Sequence, residues 1–136
     1  MSANPIEVVL KFEQAINSRK VDAIVAMCTD DSVFVDSIGS KVRGRDKLKN
    51  AWEGYLKVVP DYRISHEEIF GHGDTVAVFG SAGGTFAPDG KIVEENQWHT
   101  PAAWHAVVRG EKIALWQVFA DNEPIRAIMR RKPRRE

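Results

Sequence analysis

Ala102-Ala103-Trp104-His105-Ala106-Val107-Val108-Arg109-Gly110-Glu111-Lys112-Ile113-Ala114-Leu115-Trp116-Gln117-Val118-Phe119-Ala120-Asp121 decides the fold. Two runs rich in Val, Ile, Trp and Phe flank a Gly-Glu turn, which reads as a β-hairpin. A strand with one wet face should alternate apolar and polar residues. These runs do not: 102–108 is apolar on both faces, and so is 114–120 apart from Gln117. Val76-Ala77-Val78-Phe79 upstream repeats the pattern. Both faces of this sheet therefore have to be covered.

Working outward, further strands are predicted near Tyr62–Phe70, Thr75–Ala87 and Ile92–Val108, with turns at Gly71–Asp74 and Pro88–Gly90. Val33–Asp36 is a short earlier strand, with Phe34 and Asp36 on one face, and Gly39 and Gly44 bracket a turn after it. Three helices precede the long sheet. The first opens at Asn4-Pro5-Ile6-Glu7, a cap followed by an N1 proline. The second is Val21–Met27, and the third is Asp46–Val58, stopped by Pro60. Asp121-Asn122-Glu123-Pro124 then caps a short final helix over Ile125–Arg131. Helices first and a meander after them argue an α+β domain. Three helices cover one side of the sheet, so a second copy of the chain is the expected cover of the other.

Composition narrows the function. With 136 residues, 43% apolar and 28% charged, one domain over 1–136 is expected. No apolar run approaches a bilayer span and no leader is visible, while the lone Cys28 suits a reducing compartment. A cytoplasmic protein without membrane contact is the expectation. Six basic residues and one acid lie between Arg126 and Glu136, against thirteen basic and eighteen acidic residues in the body. The basic tail at 130–136 reads as a solvated extension, since an acidic body repels nucleic acid. The four histidines and one cysteine show no ligand spacing, so neither metal nor other cofactor is expected.

Phe12–Asn17, Ile24–Met27, Thr29–Val33, Val35-Asp36, Arg43-Gly44-Arg45 and Lys112–Asp121 together resemble SnoaL-like and ketosteroid-isomerase-like proteins of the nuclear-transport-factor-2-like superfamily. The resemblance covers nearly the whole chain. It implies a cone-shaped fold: three helices on a strongly curved, mainly antiparallel sheet, with a short C-terminal helix. It places the isomerase proton-carrying Asp at Asp36. The isomerase's polar partners fall on Phe12, Cys28, Trp52 and, in an ungapped match, Ala103, so no hydroxyl of that network is present. The acid of the cyclases and epoxide hydrolases falls on Val118. Steroid isomerisation is therefore not expected.

Asp36, beside Phe34, is the candidate general acid/base. Phe12, Phe34, Trp52, Tyr55, Trp98, Trp104, Trp116 and Val118 are candidate pocket walls for a small apolar molecule. His105 depends on parity. If Gly110-Glu111 is a two-residue turn, His105 stands opposite Trp116 and joins Asp36. If Arg109-Gly110-Glu111 is a three-residue loop, Trp104 takes that place, and His99 and His105 face outward. Small residues at Gly80, Ala82 and Gly84 are expected to leave room under the helices. Two functions stay open: a cofactor-independent isomerase-, cyclase- or dehydratase-type enzyme using Asp36, and a non-catalytic dimeric binding or scaffold domain.

Overall fold

The computed structural model describes residues 4–131. Asn4 caps α1 (Pro5–Ser18) by accepting from the Ile6 amide, and α1 buries Val8, Val9, Phe12, Ala15 and Ile16. Next come α2 (Val21–Ala26), β1 (Cys28–Val35), β2 (Lys41–Arg43), α3 (Arg45–Val58), β3 (Arg63–His72), β4 (Thr75–Thr85), β5 (Gln97–Arg109), β6 (Lys112–Ala120) and α4 (Glu123–Arg131). The strands form one unclosed sheet in the order β2-β1-β6-β5-β4-β3. All neighbours are antiparallel except β1 and β6. This is the cone-shaped α+β architecture expected from the sequence.

Three local expectations need correction. The strand expected over Val33–Asp36 starts earlier, and β1 runs from Cys28 to Val35. Its Asp30-Asp31 pair hid this, but Arg45 holds Asp30 and the Cys28 carbonyl, and Arg109 pairs with Asp31. The presumed turn after β1 contains the short β2, paired through Phe34 and Val42. Upstream of β5, Glu94–Asn96 is a 3-10 turn where strand was expected.

Burial along β5 alternates strictly, with Trp98, Thr100, Ala102, Trp104, Ala106 and Val108 inward. The opposite face carries Phe79, Ala103 and Phe119 side by side on β4, β5 and β6. Phe79 and Phe119 are 47% and 53% exposed, and Phe70 packs edge-on against Phe79.

The hairpin settles the parity question by a route neither alternative contained. Arg109 pairs with Lys112 across a two-residue turn, with Gly110 at φ +66. A register shift between Val107 and Val108 then leaves Ala114 as an extra residue in β6. Such a bulge flips the alternation. Trp104 therefore lies opposite Val118 and faces inward, while His105 pairs with Gln117 on the other face.

The small residues of β4 also act differently from expectation. A Cβ on Gly84 would sit 2.5 Å from Val59 Cγ1, and one on Gly80 would sit 1.9 Å from the Ser65 carbonyl oxygen. These glycines admit neighbouring chain rather than leave space. Of the three, only Ala82 lines the cone.

Candidate functional site

The segment after α3 sets one wall of the cone. The Asp61 carboxylate accepts from the Thr85 amide and from the Thr85 hydroxyl, both at 2.7 Å. The Ala87 amide donates to the Val58 carbonyl. Together with the close approach at Gly84, these bonds fix Tyr62 against the sheet. Tyr62 then meets Tyr55 edge-on with ring centroids 5.0 Å apart, Trp98 at 6.4 Å and Trp52 at 6.4 Å. On the facing wall Trp104 stacks on Trp116 at 6.0 Å.

Between these walls lies a cavity of about 460 Å³, the size range of small-molecule sites. Phe34, Trp52, Tyr55, Trp98, Trp104, Trp116 and Val118 line it as the sequence suggested, and so does Asp36. Tyr62, Thr100 and Ala82 line the interior too, with Val42, Leu48, Ala51 and Ala120. Ser37, Asn122, Ile125, Arg126 and Met129 line it as well, at the end nearest α4. Two suggested residues do not line it. Phe12 is buried behind the wall, edge-on to Trp116 at 4.9 Å, and His105 is on the far face of the sheet. Ala103, where the ungapped match placed a sheet acid, also faces outward, opposite Phe119.

Asp36 is half-buried at the end of β1. Its Oδ1 accepts from the Ile38 amide at 3.0 Å and the Ser40 amide at 2.9 Å. The carboxylate thus caps the turn into β2. Neither the Trp52 indole nor His105 reaches it; backbone amides do. Its Oδ2 makes no hydrogen bond among the described residues.

The aromatic wall holds protons firmly. Burial pushes the Tyr55 and Tyr62 phenols well above their ordinary pKa, and for Tyr55 the charge of a neighbouring Tyr62 phenolate adds to the effect. Neither hydroxyl has a hydrogen-bond partner among the described residues. The buried Trp98 Nε1–H is likewise without a partner. Cys28 is a separate matter: burial raises its thiol pKa, and it donates to the Ile24 carbonyl away from the cavity.

The short final helix expected over Ile125–Arg131 is present as α4, and its place in the cavity wall was not expected. Here Asn122 donates to the Ser37 hydroxyl at 2.5 Å, and Arg131 donates to the Glu95 carbonyl at 3.0 Å, so the helix is tied at both ends. Ile128 is buried, and Ile125 and Met129 face the cavity. The Ile125, Ile128, Met129 spacing was the available signal. Arg130 pairs with Glu123 within α4, and the rest of the basic tail, 132–136, lies outside the described residues. Among the described residues no group of three or more His, Cys, Asp or Glu could hold a metal ion. No helix of the described residues is long and apolar enough to cross a membrane.

The sequence profile described as the SnoaL-like domain matches residues 9–116. A search of curated proteins gives no match. Among solved structures, a hypothetical protein of ketosteroid-isomerase-like fold from Catenulispora acidiphila DSM 44928, in complex with trimethylamine, superposes with a TM-score of 0.77 at 20% identity, covering 89% of this chain and 90% of that one. A candidate SnoaL-like polyketide cyclase from Shewanella putrefaciens CN-32 gives 0.78 at 16% identity, covering 93% and 85%. TerC, co-crystallised with polyporic acid, gives 0.75 at 16% identity, covering 93% and 98%. At these identities the likeness concerns the fold.

Proposed function

We propose, starting from the fact that this chain belongs to the SnoaL-like domain family, that its cone is a binding site for a small, flat, largely aromatic molecule. The observation that carries the reading is the cavity itself. Its walls are Trp52, Tyr55, Tyr62, Trp98, Trp104 and Trp116, whose faces suit a planar apolar guest. Relatives of the same fold are recorded with trimethylamine and with polyporic acid, which supports a guest in a cone of this kind. The test is a titration with 1-anilinonaphthalene-8-sulfonate, read by quenching of tryptophan emission. Saturable one-to-one quenching supports the site; quenching that never saturates ends the reading.

Binding without turnover is the better supported form. A working base should present its carboxylate to the substrate, whereas Asp36 spends Oδ1 on two backbone amides. A specific observation keeps the catalytic form as the second reading. Asp36 does line the cavity, and its Oδ2 has no partner among the described residues. In that form Asp36 moves a proton to and from a carbon acid held among the aromatic rings, as an isomerase-, cyclase- or dehydratase-type step requires. Incubation with 2-indanone in deuterium oxide separates the two. Exchange faster than buffer that is lost in Asp36→Asn supports catalysis; exchange at the buffer rate supports binding alone.

A homodimer belongs to the same proposal. Phe70, Phe79 and Phe119 form an exposed apolar patch on the sheet face away from the cone, and a second copy is the self-complementary cover for it.

A further inference from the structure

The lining of the cone is polarised along its length. Its interior is aromatic and uncharged, with Trp52, Tyr62, Trp98, Trp104 and Trp116 on its walls. Among the described residues, the charged ones that line it are Asp36 and Arg126. Asn122 places both at the α4 end. Its side-chain amide donates to the hydroxyl of Ser37, next to Asp36, at 2.5 Å, and its carbonyl accepts from the Arg126 amide at 3.0 Å. Yet no ion pair joins the two charges. Each is held in place with its charge still open. Two backbone amides fix Asp36 Oδ1 and leave Oδ2 as an acceptor. The other arginines of α4 are engaged, Arg130 by Glu123 and Arg131 by the Glu95 carbonyl, whereas the Arg126 guanidinium has no partner among the described residues.

We propose that the α4 end of the cone is a subsite for a zwitterionic head group, with Arg126 taking its anion and Asp36 its ammonium, so that the guest is a compact aromatic zwitterion of the amino-acid type. The inference rests on the reading of the cone as a ligand site and gives the guest a direction: rings inward, head toward α4. A cavity of about 460 Å³ has room for two fused rings and a short side chain. The planar fork of an arginine suits a carboxylate, and the free oxygen of Asp36 suits an N–H donor. The tethers at Asn122 and Arg131 fix α4 before any guest arrives, so little backbone order is lost on binding.

The pairing of charges sets the selectivity. A head that is only anionic meets Arg126 but is set against Asp36, and a head that is only cationic has the reverse conflict. A head with both signs satisfies both residues. Asp36 is half-buried and Arg126 is exposed, so each contact is partly screened by water. A screened ion pair of this kind is worth up to about fivefold in affinity.

Equilibrium dialysis of the intact chain at neutral pH against indole, tryptamine, indole-3-propionate and tryptophan tests this, because the four share a ring system and differ in the charge of the head. Tryptophan is expected to bind most tightly, by about fivefold over tryptamine and over indole-3-propionate. Arg126→Gln is expected to remove the margin over tryptamine and keep the margin over indole-3-propionate. Asp36→Asn, which keeps an acceptor for the turn, is expected to do the reverse. General loosening of the fold does not produce that crossed pattern. Tryptamine or indole-3-propionate binding as tightly as tryptophan overturns the zwitterion subsite while leaving the ligand site standing, and so do unmoved margins in the two folded variants. If none of the four binds while 1-anilinonaphthalene-8-sulfonate still quenches saturably, the subsite falls alone. If that quenching also fails to saturate, the ligand-site reading falls with it.

Discussion

Val118 and Phe119 are consecutive residues of β6, and they meet opposite worlds. Val118 points into the cone opposite Trp104, where the sheet curves around an aromatic cavity. Phe119 points outward, 53% exposed, in a row with Ala103 and Phe79. Both faces are apolar, yet one leaves space inside and the other leaves surface outside. Apolar character alone therefore does not tell a core from a site. What separates the faces is enclosure and unmet polar groups. Behind the inner face the Trp98 Nε1–H is buried without a partner among the described residues, while the outer face offers apolar side chains to something flat.

The sharpest break of this comparison is in stability. Trp104 is 2% exposed and stacked on Trp116. Trp104→Ala is expected to lower the unfolding free energy by about 3–5 kcal/mol, as large-to-small changes in a core do. Phe119→Ser, measured at concentrations where the chain is monomeric, is expected to stay within about 0.5 kcal/mol. Similar losses in urea unfolding would erase the distinction between the faces.

Much of this contrast was legible in the sequence. The two-sided apolar pattern of 102–120 marked a sheet with apolar side chains on both faces, the cap at Asn4 placed the start of α1, and Pro60 placed the end of α3. The side assignment was not legible. It turned on the bulge at Ala114, and a bulge is one extra residue with no composition of its own. That bulge moves His105 out and Trp104 in. Asp36 was legible as a cavity residue, but its backbone partners depend on how the chain turns through Ser40. Tyr62 and Arg126 were not expected at the cone, because one stood at the start of a strand and the other on a short final helix with no stated place in the fold. The glycines of β4 misled for a similar reason: whether a missing side chain leaves a hole or admits a neighbour is a property of packing.

Alkali tests the inner wall. Tyr55 and Tyr62 are the chain's two tyrosines, and burial raises both above the ordinary 10.0. Below about pH 10 the phenols are protonated in folded and unfolded chains alike, so their contribution is fully present. Above it, only the unfolded chain sheds these protons. Stability should then fall by about 2.7 kcal/mol per pH unit, two protons' worth. No tyrosinate absorbance should appear before unfolding. Titration of either phenol near pH 10 in the folded protein would show a wetter wall than the one described.

The outer face is tested by association. Phe119→Arg is expected to weaken the dimer at least about a hundredfold, by burying a charge where two apolar rows meet. Sedimentation of the unaltered chain as a monomer at micromolar concentration would remove the dimer from the proposal. The smallest effect concerns the turn at the cavity edge. Asp36→Ala removes an acceptor from two backbone amides and should cost about 1–2 kcal/mol, whereas Asp36→Asn keeps an acceptor and should cost a few tenths. Equal losses would mean that the charge, and not the cap, holds the turn.

The most direct test of the central claim puts one bulky residue on each face of the same strand position pair and asks which one evicts a guest. Binding of 9-fluorenone is measured by equilibrium dialysis for the unaltered chain, for Val118→Trp, which fills the cone, and for Phe119→Trp, which does not. The expected result is binding abolished in Val118→Trp and unchanged in Phe119→Trp. Full binding in a folded Val118→Trp variant would contradict the account, because the guest would then sit somewhere other than the cone.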